Sequence, residues 1–179
     1  YALSVAEEFI RSGTPFHTSV VGQRLLPAQP RPAAALGLEP GAPVLMLERI
    51  RGVDGQPLLF NESYLSGERY GELVDTDFRQ VRLFEVLESR YGLTLARAAR
   101  TISAITASSR IAKALDVAVG APILYSEQTV YSGDDEAVEF SKAWFRGDRF
   151  RLSSEVFRGA GDPVHTVTLP SEWSGVSER

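Results

Sequence analysis

The chain has 179 residues, a net charge of −4 and no cysteine. With 44% hydrophobic and 23% charged residues it has the balance of one globular domain with its own core. The missing cysteines exclude disulfides, thiolate metal sites and cysteine nucleophiles, and the acidic balance offers no overall attraction for nucleic acid. No apolar run approaches the roughly 20 residues of a membrane span. The opening "YALSVAEEFIRSG" has no basic region, long apolar stretch or cleavage site, so it is not a signal peptide. Without an initiator Met, the chain is expected to be a piece of a longer one.

In chain order, Leu3, Val5, Ala6, Phe9 and Ile10 predict a short amphipathic helix over 2–11, stopped by Gly13 and Pro15. Residues 16–26 are β-branched enough for a strand. "PAQPRP" (27–32) reads as a connector, and "AAALGL" as a helical turn ending near Gly37. Residues 43–65 are a hairpin signal, two apolar runs flanking the turn pair Asp54-Gly55. Val81, Phe84, Leu87 and Tyr91 predict a helix over 78–92, closed by Gly92. Residues 93–107 read as a long strand and "SSRIAKALDV" as a capped short helix. Residues 121–147 form a second hairpin turning at Ser132-Gly133-Asp134, and 148–158 continue extended. The tail after Gly159 is polar and is expected to wrap the surface or fray.

An internal repeat organises these elements. "LGLEPGAPVL" (36–45) matches "LDVAVGAPIL" (115–124), an offset of 79 residues that carries Gly41 onto Gly120. Beyond the turns the offset is 80: "PLLFNESYL" (57–65) lies over "AVEFSKAWF" (137–145). Each half is a short helix, a Gly-Ala-Pro turn and a hairpin. Two such halves join into one mostly antiparallel sheet with helices covering one face, an α+β fold with a pseudo-twofold and a cleft where the halves meet.

Enzyme signals are poor. His17 and His165 stand in no metal-ligand spacing. There is no phosphate loop and no nucleophile elbow. Asp75, Asp77, Asp134 and Asp135 have the places of turn and capping residues. What remains is charge embedded in apolar strands. Arg49 and Arg51 in "LMLERIR" share one strand face, where two guanidiniums can converge on a carboxylate or phosphate. Asn61 in "LLFNESY" and Glu139 in "AVEFS" are embedded in the same way. The same alternation also fits the solvent face of a one-sided sheet.

The order of blocks "PAAALGLEPGAPVLMLERIRGVDGQPLLFNESYL", "RLFEVLESRYG", "LDVAVGAPILYSEQTVY" and "VEFSKAWFRGDRFRL" resembles the UTRA effector-binding domain of bacterial GntR-family transcription regulators of the HutC subfamily. The resemblance runs over roughly residues 3–158, and it divides the chain into an effector-binding and dimerisation domain, 1–158, and a tail, 159–179. It implies a chorismate lyase-like sheet of about six strands with flanking helices. It also implies a homodimer in the cytoplasm that senses a small metabolite without a cofactor. Operator DNA would be met, commonly by a repressor, only through an N-terminal winged helix-turn-helix that this chain does not contain.

The family's acidic ligand group is held by the arginines at Arg49 and Arg51. The acidic positions of the two hairpins fall on Asn61 and Glu139. The Ser-Leu-Tyr of the middle helix falls on Arg82-Leu83-Phe84, a ligand-side Tyr on Phe145, and a Thr of the first helix on Ala6. The ligand-binding set implied is Arg49, Arg51, Asn61, Arg82, Phe84, Glu139 and Phe145. Losing hydroxyls at these places implies a less polar ligand, a carboxylate rather than an amino-sugar phosphate. Arg82 fits either the cleft or a course toward solvent. A chorismate lyase-type enzyme shares the fold and is the alternative. Two short patterns carry little: Asn61-Glu62-Ser63 matches a glycosylation site, and Arg146-Gly147-Asp148 an adhesion signal, in a chain without secretory features.

Overall fold

A computed structural model describes residues 15–155 and 164–168. The helix expected over 2–11, with Ala6, lies outside the described residues. Six strands make one sheet: β1 (His17–Pro27), β2 (Pro43–Val53), β3 (Gln56–Ser66), β4 (Leu95–Thr106), β5 (Pro122–Ser132) and β6 (Ala137–Arg146). Their order across the sheet is β1-β2-β3-β6-β5-β4, and every pairing is antiparallel. The helices are α1 (Pro30–Leu36), α2 (Gly67–Tyr70), α3 (Leu83–Tyr91) and α4 (Ser109–Leu115), with a 3-10 turn, Gly71–Asp75, after α2.

The repeat seen in the sequence is a pseudo-twofold between β3 and β6. Phe60 pairs with Trp144, and Tyr64 with Phe140; the 80-residue offset turns one pair into the other. Glu62 and Lys142, paired between them, are each other's counterparts. The Gly-Ala-Pro turns also coincide. Gly41 and Gly120 have φ of 83° and 86°, a conformation only glycine adopts without strain. The bonds from Ala28 N to Ala42 O and from Ala107 N to Ala121 O are both 2.8 Å.

Local chemistry sets the element ends. Asp54 and Gly55 both have positive φ, as a two-residue hairpin turn of the right twist requires. The Ser108 hydroxyl accepts from Ile111 N and caps α4. Part of the stretch expected as connector is helical: Pro30 opens α1, where proline's fixed φ suits the first turn. The helix expected from residue 78 begins only at Leu83. Asp77 captures the backbone N–H and guanidinium of Arg79 instead, closing a turn that buries Phe78. Residues 67–75, to which the sequence reading assigns no element, form α2 and the 3-10 turn. Beyond the sheet, β7 (Arg151–Glu155) pairs with β8 (Val164–Thr168), so this part of the tail is a strand.

Helices cover both faces of the sheet, not one. On the first face, Leu45, Leu47 and Leu65 pack under Leu73, Phe78, Leu83, Phe84 and Leu87 from the segment joining the halves. On the second, α1 packs on Val44, Met46, Tyr64 and Phe140, and α4 on Phe60, Ile123 and Trp144. The joining segment interrupts the repeat and makes the first face asymmetric.

Candidate ligand-binding site

The first face carries a polar cluster between two apolar zones. Arg49 and Arg51 project from β2, and Asn61 and Ser63 from β3, where Asn61 stands directly opposite Arg49. Arg49 Nη2 donates to Ser63 Oγ at 2.8 Å, and Arg51 Nη1 to Asn61 Oδ1 at 2.9 Å. Asn61 Nδ2 also reaches Ser63 Oγ, at 3.3 Å. The Ser63 hydroxyl hydrogen-bonds the Glu139 carboxylate from β6. All five are buried: Arg49 is 4% exposed, Arg51 8%, Glu139 3% and Ser63 0%. A sheet face turned to solvent is therefore excluded for these residues.

Burial dominates their ionisation. It pushes the Arg49 guanidinium down to about 10, with Glu139 opposing. It pushes Arg51 down further, helped by the like charge of Arg49 and opposed by Glu139. Glu139 is pushed up by burial, against the Ser63 hydrogen bond and the two arginines. The Nε atoms of Arg49 and Arg51 are buried with no hydrogen-bond partner. Leaving such donors unmet costs on the order of 1–3 kcal/mol each, more when charged.

The other expected site residues divide. Phe145 flanks the cluster: it is the cross-strand partner of Leu59, which is itself paired with Arg51, and its ring lies 4.1 Å from that of Phe150. Phe84 is core beneath α3, packed with the leucines of the joining segment. Arg82 is not in the cluster. It stands at the start of α3, 55% exposed, with Nη1 3.5 Å from Glu85; its long chain takes the solvated course because an acidic partner waits one turn on. Ser63, which orders the cluster, was not singled out in the sequence. Its signal was spacing: it follows Asn61 by two residues on a strand and must share its face.

The second face has its own polar row, between α1 and α4. Arg110 bridges Glu48 and Glu62 and lies 4.9 Å from the centre of the Phe60 ring. Arg31 pairs with Glu127 at 2.5 Å. Tyr64 donates to Glu62, and Tyr125 to Glu127, both at 2.9 Å. Here every strand carboxylate has a cation. Among the described residues no group of three or more His, Asp or Glu could hold a metal ion, and no helix is long and apolar enough to cross a membrane.

The adhesion tripeptide is closed on itself. Arg146 Nη2 meets Asp148 at 2.7 Å, and Gly147 N donates to Pro122 O at 3.1 Å. Asn61 of the glycosylation pattern is buried in β3.

The fold is that of the effector domains of transcription regulators, as comparison with solved structures shows. The effector domain of PhnF from Mycolicibacterium smegmatis, solved as a crystal structure under the name Mycobacterium smegmatis, superimposes with a TM-score of 0.76 at 30% identity, covering 82% of this chain and 90% of that one. In sequence, the transcriptional repressor PhnF of the same organism is 31% identical over 122 residues, 68% of this chain and 50% of its own. The repressor NagR of Bacillus subtilis is 25% identical over 147 residues, 82% of this chain and 60% of its own. The chain thus spans half to three fifths of the length of these relatives, which are transcription regulators and not chorismate lyases. The UTRA domain family matches residues 11–151, and the chain belongs to that family.

Proposed function

We propose that the chain is the ligand-sensing and dimerising part of a GntR-family regulator of the HutC subfamily, and that its effector is a small anionic metabolite held by Arg49 and Arg51. The observation that carries this is the pair of buried Nε atoms with nothing to bond. A carboxylate or phosphate supplies acceptors to both and repays the burial of the guanidiniums. Asn61, Ser63 and Glu139 hold the arginines in place, and Phe145 lies beside the ligand's body. Arg82 takes no part. Effector binding changes DNA affinity by favouring one arrangement of the dimer over another. The regulator works in the cytoplasm, where DNA and metabolites meet.

A thermal-shift screen of anionic metabolites tests the reading. At least one is expected to raise the melting temperature, and Arg49→Ala is expected to abolish the rise. No stabilisation by any anion, or a rise that survives Arg49→Ala, sinks it. Light scattering after size-exclusion chromatography checks the dimer.

A further inference from the structure

The three ionisable side chains of the buried cluster do not cancel. Arg49 and Arg51 bring two positive charges, and Glu139 brings one negative. Glu139 acts on both arginines and Arg49 acts on Arg51, and among the described residues no fourth charged group is seen to act on them. Their cross-strand neighbours are neutral: Val20 and Thr18 on β1, Asn61 on β3. Ser141 and Ala143 lie opposite Ser63 and Asn61 on β6. The helical layer above contributes apolar side chains, and its Arg82 and Glu85 pair at the exposed surface. Among the described residues the cluster therefore carries one surplus positive charge, at a place where water is largely excluded. One anionic charge closes it. A second would leave an unpaired negative charge buried in its place, which is as unfavourable as the positive one it removed.

Resting on the reading above, we infer that the site takes a singly charged carboxylate on an uncharged, apolar body, and that it discriminates against a phosphate dianion. The hydrogen bonds agree with the charge count. Asn61 occupies Nη1 of Arg51 and Ser63 occupies Nη2 of Arg49. The two Nε atoms are fully buried with no partner, and a carboxylate has two oxygens. Next to Arg51 along the sheet, Leu59 leads to Phe145 and Phe150, an apolar wall for the rest of the molecule. Asn61 sets the preference: an acid at that position would cancel the surplus charge.

The test is an NMR titration of the 179-residue chain that follows the arginine Nε–Hε resonances. Benzoate is one probe, and inorganic phosphate at pH 8, where it is a dianion, is the other. Benzoate is expected to shift two arginine resonances and to bind at least tenfold more tightly than phosphate. Asn61→Asp, which brings the cluster to zero, is expected to weaken benzoate at least tenfold with the backbone amide spectrum intact. Glu139→Gln, which raises it to two positive charges, is expected to improve phosphate relative to benzoate at least tenfold. If Glu139→Gln does not fold, Asn61→Asp alone decides. Equal binding of the two probes by the unaltered chain, or benzoate affinity untouched by Asn61→Asp, overturns the charge count. If neither probe shifts an arginine resonance, anion binding itself is overturned.

Discussion

Arg31 and Arg110 are counterparts under the pseudo-twofold, and each crosses it to grip a carboxylate of the other half. Arg31 on α1 pairs with Glu127 on β5, and Arg110 on α4 with Glu48 on β2. Glu48 and Glu127 are themselves counterparts at the 79-residue offset. The two latches are unequal. Arg110 also holds Glu62, whose own counterpart is Lys142, so one guanidinium serves two carboxylates that are 12% and 7% exposed. Arg31 serves one, 23% exposed. Arg110→Ala is therefore expected to cost up to about 2 kcal/mol, because it leaves Glu62 with only the Tyr64 hydroxyl and Glu48 with only Arg24 on β1. Arg31→Ala is expected to cost no more than about 1 kcal/mol, the range of a solvated pair. Urea unfolding of the two variants checks the order. Equal losses would mean that the latches are equivalent.

Ser63 is the joint of the binding cluster. Its hydroxyl accepts from Arg49 and Asn61 and bonds to Glu139. Ser63→Ala removes all three contacts at a fully buried position. A loss of about 2 kcal/mol in unfolding free energy is expected. The same variant is expected to loosen Arg49 and so to weaken the thermal shift given by an anionic ligand. Unchanged stability would mean that the cluster does not depend on Ser63.

The frame was legible in the sequence because it is made twice. A hairpin with an Asp-Gly turn and a second one offset by 80 residues left only a few ways to join two meanders. The arginine pair was legible through strand period alone. Three things were not. The 3-10 turn after α2 has neither helical nor strand period, since it is held by the Gln23 amide, which donates to the carbonyls of Leu73, Val74 and Thr76, and by Leu73 in the core. Arg82 aligned with a ligand-side position, but its course to Glu85 is decided by local pairing that alignment does not encode. The latches were hidden because Glu48, Glu62 and Glu127 look like the alternating charges of a solvent face, while the helices that cover them sit far off in the chain. Only the offset that maps Arg31 onto Arg110 links them.

Acid acts on the turn after β6. A hydrogen bond from Arg146, ahead of any burial, holds Asp148 below the usual carboxylate range. A carboxylate lowered on folding adds stability above its unfolded value and loses it as pH falls through the folded one. Asp148→Asn should thus be less stable than the unaltered chain at pH 6. The gap should close below about pH 3.8, the ordinary value for this group. Since Asp148 is 55% exposed, the gap at pH 6 should stay under about 1 kcal/mol. Urea unfolding from pH 6 down to pH 2 measures it, and a gap that does not narrow anywhere below about pH 3.8 would assign the effect to packing.

The outer edge of the sheet is undefended. β4 is an end strand, and Ala99–Thr106 are exposed on both of its faces, with Ile102 and Ile105 each 37% exposed. Residues 101–106 carry no charge and no proline, the features that natural edges use against unwanted pairing. Ile105→Lys is expected to change unfolding free energy by no more than about 0.5 kcal/mol. It should also lower the light scattering that develops on heating. Unaltered scattering would place the aggregation-prone surface elsewhere.

The repeat also explains two glycines whose φ is not positive. Gly67 and Gly147 are counterparts at the 80-residue offset, and they follow β3 and β6. A Cβ at Gly67 would lie 2.7 Å from the carbonyl oxygen of Pro43. At Gly147 it would lie 2.7 Å from that of Pro122. Pro43 and Pro122 are counterparts too. In both halves, then, the chain leaving the hairpin passes so close to the start of the preceding strand that no side chain fits between. The obstacle is backbone, which cannot swing away as a side chain would. Gly67→Ala and Gly147→Ala are each expected to cost about 2 kcal/mol, the scale of an overpacked contact. Their effects should add, since the two sites share no partner. Thermal unfolding of the single and double variants tests this, and a neutral Gly147→Ala would show that the turn after β6 yields where its counterpart does not.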